Sequence, residues 1–217
     1  MRINPVSEVK GAARNASERD YRIMNILFID TSTNILTAGV SADGALYAES
    51  FDAGKNGHTK LLLSAVDGSL KRAGKDTGDL DAVCIVTGPG SFTGIRIGAA
   101  TATAICAATG AKRICVTAFD LIAYDRGKIT AAVEAGRGNL YAAECSDGIT
   151  VRTEFVGAEE REEREKRGVR FVFAPKGDRA ETIAALAVGK AAREEFSDVF
   201  EPFYMRKSQA ERSRDEI

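Results

Sequence analysis

One carboxylate and three hydroxyls stand directly behind an apolar run near the start of the chain. Residues 26–29 are all apolar, and Asp30, Thr31, Ser32 and Thr33 follow them. Oxygen groups of this kind, in a turn at the end of a strand, could hold a magnesium-bound phosphate. The same residue types are also typical of a turn that is satisfied by its own side chains. The sequence leaves both interpretations open.

A glycine-rich segment before a helix is the second place where chemistry could occur. The tripeptide at residues 88–90, Gly-Pro-Gly, ends an apolar run, and Ser91 stands where a helix N-cap belongs. Glycines ahead of a helix N-terminus are typical of an anion site. The segment lacks the spacing of a P-loop or of a dinucleotide site, so it is weak evidence for a phosphate site. Arg96, one turn into the helix, is either a phosphate or partner contact or a solvated charge.

The sequence lacks the residue sets that metal binding by histidines, serine hydrolysis or acid–base catalysis would need. His58 is the only histidine, so histidines cannot build a zinc or iron site. Ser91 lacks the Gly-x-Ser-x-Gly context of a serine hydrolase. The four cysteines stand in apolar contexts without Cys-x-x-Cys pairing, which favours free core thiols in a reducing cytosol. No pair of titratable groups indicates acid–base catalysis.

Composition limits the classes of protein that remain. The 217 residues suit one large domain or two small ones. The net charge of −1 at pH 7 argues against this chain gripping RNA by itself. No apolar run reaches the roughly 18 residues of a membrane span, and the first residues lack the apolar region of a signal peptide. We therefore expect a soluble, cytoplasmic protein.

The order of predicted elements indicates an α/β fold. We expect strands at residues 26–30, 36–41, 45–50, 82–86 and 113–117, with helices at residues 59–73 and 92–108. Three meandering strands followed by alternating helices and strands predict a mixed sheet flanked by helices.

Changes in composition along the chain predict two lobes. Polar, mixed-charge residues 1–23 are expected to be a disordered extension or a mis-assigned start, and residues 24–125 the first lobe. Residues 126–206 are expected to form a smaller second lobe, whose last helix could pack back on the first. It contains another three-strand meander, a charged helix at 158–168, a strand at 169–174 and a helix at 178–196 that breaks near Gly189. Residues 207–217 are expected to be a disordered tail.

Small residues recur every four positions in the second long helix. Gly94, Gly98, Ala102 and Cys106 therefore line one of its faces. Each mid-helix glycine costs about 1 kcal/mol relative to alanine, so another element should pack closely against that face. The helix either lies close on its own sheet or meets a second helix, in this chain or another. Both can hold, since a helix has two sides.

Several segments together resemble the bacterial TsaB family, formerly YeaZ. Residues 26–33, Ile-Leu-Phe-Ile-Asp-Thr-Ser-Thr, match its first motif. Residues 87–98, Thr-Gly-Pro-Gly-Ser-Phe-Thr-Gly-Ile-Arg-Ile-Gly, match its long central motif. Three weaker matches follow in the family's order, beginning at His58, Glu134 and Pro202. The resemblance covers residues 24–206.

The resemblance implies an actin-like, Hsp70-like and sugar-kinase-like (ribonuclease H-like) fold of two related lobes, with mixed sheets flanked by helices. It implies a non-catalytic subunit that scaffolds and activates TsaD, together with TsaE. TsaD transfers a threonylcarbamoyl group to the adenosine following the anticodon of tRNA. The tRNA would be contacted only through the complex. No metal or intrinsic cofactor is implied, and ATP or ADP at the complex interface stays open.

The family's partner surface lies on the two long helices, and the same surface can form homodimers. We therefore expect a bare ridge that another polypeptide contacts, formed by His58, Leu62, Val66, Gly94, Arg96, Gly98 and Ala102. The loop at residues 30–33 remains the candidate nucleotide or phosphate site. The alternative is an independent ATP-dependent phosphotransferase or a peptidase-like enzyme on the same fold. Such an enzyme should carry a full pair of phosphate loops and a general base.

Overall fold

The computed structural model describes residues 24–54 and 57–205. The disordered segments predicted at residues 1–23 and 207–217 lie outside these described residues. Within the described ranges, no helix combines the length and the apolar character that crossing a bilayer requires.

The first sheet forms from short, mostly apolar segments. Its strands are β1 (Ile26–Asp30), β2 (Ile35–Ala42), β3 (Ala45–Asp52), β4 (Ala82–Val86) and β5 (Lys112–Val116). They lie in the order β3-β2-β1-β4-β5, with β1 antiparallel to β2 and parallel to β4. Every residue of β1 and β4 is buried, because both faces of the sheet centre are covered.

Helices cover both faces of this sheet. Four helices do so: α1 (His58–Ala73), α2 (Phe92–Thr109), α3 (Ala118–Ala123) and α5 (Arg179–Ala192). The remaining α-helix, α4 (Ala158–Lys166), flanks the second sheet. α1 and α2 pack on one face, whereas α3 and α5 pack on the other. Side-chain caps begin three of these helices: Ser91 accepts from the Gly94 N–H, Thr117 from the Asp120 N–H, and Asp178 from the Glu181 N–H.

The second sheet is smaller and one of its flanking helices is charged. Its strands are β6 (Ile129–Gly136), β7 (Asn139–Ser146), β8 (Ile149–Val156) and β9 (Phe171–Val172), in the order β8-β7-β6-β9. α4 buries none of its residues and carries i,i+4 ion pairs such as Arg164–Glu160. Arg164 also lies 2.5 Å from Glu154 of β8, and this hydrogen bond lowers the pKa of the Glu154 carboxyl.

The architecture is a mixed α/β fold with two sheets flanked by helices, as the sequence predicts. Each sheet begins with a three-strand antiparallel meander, so the two lobes are related. Helix α5 packs back against the first sheet. Two predicted details are wrong. The strand expected at 169–174 is reduced to Phe171–Val172, and α5 runs unbroken through Gly189 before it ends at Ala192.

Candidate functional site

The loop that follows β1 is built around a fully buried carboxylate. Asp30 has no exposed surface, and both of its oxygens are bonded. Ser32 donates its N–H and its hydroxyl to Oδ1, at 2.8 and 2.7 Å. Arg179, the first residue of α5, donates its Nε to Oδ2 at 2.5 Å. A guanidinium from the same chain therefore neutralises this carboxylate.

This loop does not fit a magnesium-bound phosphate. A carboxylate that binds Mg²⁺ presents an oxygen to the ion, whereas Ser32 and Arg179 occupy both oxygens of Asp30. The glycine-rich loop is filled as well, since a Cβ on Gly90 would come within 3.0 Å of the Ser32 carbonyl oxygen. The structure therefore contradicts the phosphate interpretation of Asp30, Thr31, Ser32 and Thr33, and supports the alternative of a self-satisfied turn.

Arg179 is the residue of this cluster that the sequence did not reveal. It stands 149 positions from Asp30, and no local pattern connects the two. An arginine at the start of a helix is an ordinary surface residue in most sequences. Only the packing of α5 against the first sheet brings its side chain to the end of β1.

The small-residue face of α2 packs against the chain's own first strand and loop. Thr31 donates its hydroxyl to the Gly94 carbonyl at 2.7 Å. A Cβ on Gly94 would come within 3.0 Å of the Thr31 carbonyl oxygen, and one on Gly98 within 3.0 Å of the Thr31 hydroxyl. Ala102 is fully buried in the core. The prediction that Gly94, Gly98 and Ala102 contact another polypeptide is therefore wrong, because β1 and its loop already occupy that face.

Helix α1 also turns its predicted interface residues inward. Leu62 and Val66 are 1% and 4% exposed and belong to the core between the helix and the sheet. His58 is buried, and its Nε2 lies 2.8 Å from the Thr33 carbonyl oxygen. Because a carbonyl only accepts, Nε2 carries the proton of this bond. The prediction that His58, Leu62 and Val66 contact a partner is wrong, since they hold α1 on its own sheet.

The outward side chains of the two long helices form a different surface. On α2 the exposed residues are Thr93, Arg96, Ala100, Thr103, Ala104, Ala107 and Ala108. On α1 they are Thr59, Lys60, Leu63, Ser64, Asp67, Lys71 and Arg72. The two helices contact each other, so we call these residues together the helix-pair face. Its α2 half is made of alanines and threonines with one charge, and its α1 half exposes 66% of Leu63.

The single charge on the α2 half is fixed by aromatic contacts. Arg96 donates its Nε to the Tyr204 hydroxyl at 3.0 Å, and its guanidinium carbon lies 3.9 Å from the Phe92 ring centre. The segment that carries Tyr204 is itself anchored, because the Phe203 N–H donates to the Thr87 carbonyl at 2.9 Å. These contacts therefore hold Arg96 in a defined orientation on the helix-pair face, where its side chain stays exposed to solvent.

Two other kinds of site find no support in the described part of the chain. There, no group of three or more His, Cys, Asp or Glu side chains could hold a metal ion. The four cysteines are unpaired, as predicted. Burial raises the pKa of the Cys84, Cys106 and Cys145 thiols, so they stay protonated at neutral pH. These thiols lack the thiolate that a nucleophile needs.

Comparison with known proteins identifies the family. The family model described as TsaD, tRNA N6-adenosine threonylcarbamoyltransferase, matches residues 52–160, just over half of the chain. The tRNA threonylcarbamoyladenosine biosynthesis protein TsaB of Escherichia coli K12 is 33% identical over 129 residues. The chain belongs to this family, as a TsaB (YeaZ) member. Residues 52–160 include both long helices and thus the whole helix-pair face.

The alignments cover only part of each relative. The match to Escherichia coli TsaB covers 56% of this chain and 54% of that protein. Bacillus subtilis TsaB is 29% identical over 54% of this chain and 53% of its own length. An uncharacterized Mycobacterium tuberculosis protein is 34% identical, over 59% and 62% respectively. The chain thus spans little more than half the length of the TsaB proteins it matches.

Solved structures confirm the fold. YeaZ from Pseudomonas aeruginosa superposes with a TM-score of 0.68 at 20% identity, covering 84% of this chain and 100% of that one. A second Pseudomonas aeruginosa structure, described as similar to peptidase YEAZ, gives a TM-score of 0.72 at 21% identity over the same shares. At these identities the likeness shows the two-lobed fold of TsaB (YeaZ) proteins and nothing about activity.

Proposed function

We propose that this chain is a non-catalytic partner of TsaD in the formation of N6-threonylcarbamoyladenosine, on the adenosine that follows the anticodon of tRNA. Membership of the TsaB family and the names of the TsaB relatives support this role. The observation that carries it is the helix-pair face. An 18-residue surface helix with one charge is unusual for a face that meets only water.

The composition of the α2 half of the helix-pair face, with the neighbouring Leu63, suits another protein better than solvent. Short side chains such as Ala100 and Ala104 let a partner helix approach closely, and Leu63 adds apolar area that the chain leaves exposed. Interface cores are depleted of charge and enriched in arginine, which is the pattern around Arg96. A carboxylate of TsaD is the group that the fixed guanidinium would meet.

The proposal also covers TsaE, tRNA and self-association of the chain. TsaE joins the complex in this proposal, and tRNA is contacted only through it, because a net charge of −1 gives the chain no overall attraction for RNA. In isolation two copies of the chain can meet through the helix-pair face as a homodimer. The proposed setting is the cytoplasm, where tRNA is modified.

Catalysis and nucleotide binding are assigned to other subunits. Asp30 is the residue that would hold a phosphate-bound cation on this fold, and Arg179 already neutralises it. We propose that this chain holds no nucleotide by itself. Any ATP or ADP then lies at the complex interface. Purified chain that hydrolyses ATP, and loses that activity in the Asp30→Ala variant, would overturn this assignment.

A charge placed on the helix-pair face tests the docking surface. The Ala104→Arg variant adds a large cation at an exposed helix position, which should hardly affect folding. We expect its affinity for TsaD to fall at least tenfold, about 1.4 kcal/mol, measured by calorimetry. Glu162→Arg on α4 is the matched control, since it adds the same side chain on an exposed helix of the second lobe. Equal affinity of Ala104→Arg and the control would exclude this surface.

Reconstitution tests the role itself. TsaD, TsaE, threonylcarbamoyl-AMP and unmodified tRNA are incubated with and without this chain, and the modified nucleoside is quantified by mass spectrometry. We expect modification to depend on the chain, and Ala104→Arg to reduce it while the Glu162→Arg control does not. Modification that is equally fast without the chain would contradict the proposed role.

A further inference from the structure

We infer that Arg179 is a positioning residue for the helix-pair face, acting from the opposite side of the first sheet through Asp30 and the loop at residues 31–33. The inference rests on the proposed function, because its consequence is measured as affinity for TsaD. It assigns a task to a residue of α5 that touches neither of the two long helices' outer faces.

The loop at residues 31–33 is the joint between the two long helices. Thr31 donates its hydroxyl to the Gly94 carbonyl at 2.7 Å, and the Ser91 N–H donates to the Ser32 carbonyl at 2.7 Å. These two bonds fix the first turns of α2. His58 Nε2 donates to the Thr33 carbonyl at 2.8 Å and fixes the first residue of α1. Three consecutive loop residues therefore set where both helices begin.

The conformation of this joint depends on the buried carboxylate beneath it. Ser32 is held by two bonds to Asp30 Oδ1, at 2.8 and 2.7 Å. The other oxygen is held by Arg179 at 2.5 Å, and Arg179 also reaches the Ser32 hydroxyl at 3.4 Å. Asp30 is fully buried, so Arg179 supplies the charge that allows its carboxylate to stay in the interior.

Loss of the guanidinium leaves a buried charge without a partner, which is strongly unfavourable. The nearest way for Asp30 to regain solvation is a rearrangement of the loop at residues 31–33. That movement breaks the bonds to Gly94 and His58 and shifts the first turns of both helices. Lys60 lies on the first turn of α1, and Arg96 directly follows the first turn of α2, so the partner would meet a changed surface.

The affinity of the full chain for TsaD tests this. We expect Arg179→Met to bind TsaD at least tenfold more weakly, at a temperature where circular dichroism shows it fully folded. Arg193→Met at the end of α5 is the matched control, with an exposed side chain, and should bind like wild type. Asp30→Asn combined with Arg179→Met removes both charges and should restore affinity to within about threefold. If Arg179→Met does not fold, Asp30→Asn takes its place, with at least fivefold weaker binding expected.

A second readout separates positioning from general stability. Amide hydrogen exchange in Arg179→Met should rise at the loop and at the first turns of α1 and α2, and stay unchanged in the second sheet. A merely structural role would lower the melting temperature and leave the affinity of the folded variant unchanged. Wild-type affinity in a folded Arg179→Met or Asp30→Asn single variant would overturn the inference. Absence of binding by the wild-type chain would instead overturn the proposed function.

Discussion

The two faces of α2 are both made of small residues, yet their surroundings are opposite. The inner face carries Gly94 and Gly98 against the first strand and its loop. The outer face carries Ala100 and Ala104, which are exposed. Contacts inside the chain account for the small residues of the inner face. No contact in the described part of the chain accounts for those of the outer face.

The inner face of α2 uses glycine where the outer face uses alanine, and this difference reflects how closely each face is packed. At Gly94 a single Cβ would collide with a backbone carbonyl, so nothing larger than hydrogen fits. On the outer face Lys, Glu or Arg would support the helix about as well as alanine and would improve solubility. Alanine at Ala100 and Ala104 is therefore consistent with the proposed docking of a partner on this face. The sequence alone shows the two stripes without showing which body approaches each.

Thiol labelling should give the largest difference between the two faces. Cys106 on the inner face is 3% exposed, whereas a thiol introduced by Ala104→Cys stands in solvent. We expect Cys106 to react with a maleimide only when the protein opens, which slows its labelling by roughly 10³-fold or more. Peptide mapping by mass spectrometry measures both rates in one sample.

The pH dependence of this labelling sharpens the comparison. Burial raises the pKa of the Cys106 thiol above its ordinary value, while an exposed thiol titrates near about 8.5. Because Cys106 reacts only from the opened state, where its thiol is exposed, raising the pH from about 7 to about 9 should accelerate labelling at both positions. The ratio of the two rates should therefore not grow. Rates within tenfold of each other would show that the inner face is not packed as described.

The Gly94→Ala substitution should cause the second largest effect. Its Cβ would press on the Thr31 carbonyl oxygen, a backbone atom held by the buried loop. Overpacking of this kind costs about 3 kcal/mol, against about 1 kcal/mol gained in helix propensity. We expect a net loss of about 2 kcal/mol, seen as a fall in melting temperature of roughly 4–8 °C.

Gly78→Ala is the control for this prediction. Gly78 has no atom within 4 Å of an added Cβ, and its φ lies outside the left-handed region. The control should change stability by no more than about 0.5 kcal/mol. If Gly94→Ala is as stable as the control, the contact between α2 and the loop is looser than the structure shows.

Most of the fold could be predicted because its signals are local. The apolar run at residues 26–29 specifies a strand and the turn at Asp43-Gly44 specifies a hairpin, each through a signal only a few residues long. The charged repeat that becomes α4 is equally local. The strand expected at residues 169–174 is shorter in the structure, at Phe171–Val172. An apolar run does not reveal how many of its residues pair with a neighbouring strand.

The candidate site could be predicted only in part, since its contacts join distant segments. Helical spacing correctly placed Gly94 and Gly98 on one face, but spacing cannot identify the body that lies against it. The pairing of Asp30 with Arg179 depends on how α5 crosses the first sheet, and no residue pattern near either one signals it. The sequence does not single out the outer alanines, because alanine in a helix needs no special explanation.

A double-mutant cycle between Gly98 and Thr31 should give a smaller effect. The Cβ of Gly98→Ala would meet the Thr31 hydroxyl, which can turn away at the expense of its bond to the Gly94 carbonyl. We expect Gly98→Ala alone to cost about 1 kcal/mol. In a Thr31→Ala background the obstructing hydroxyl is gone, so the same substitution should cost nothing or stabilise. Additive effects in denaturant unfolding would contradict a direct contact between the two residues.

The smallest expected effect is that of Ala100→Lys on the outer face. Lysine keeps the helix propensity high and its side chain meets no atom of this chain, so stability should change by less than about 0.5 kcal/mol. The measurement is the unfolding free energy of the isolated monomer at low concentration. A larger loss would mean that the outer face contributes to the chain's own stability. Its alanines would then need no partner to explain them, because the same internal packing that selects glycine on the inner face would also select alanine here.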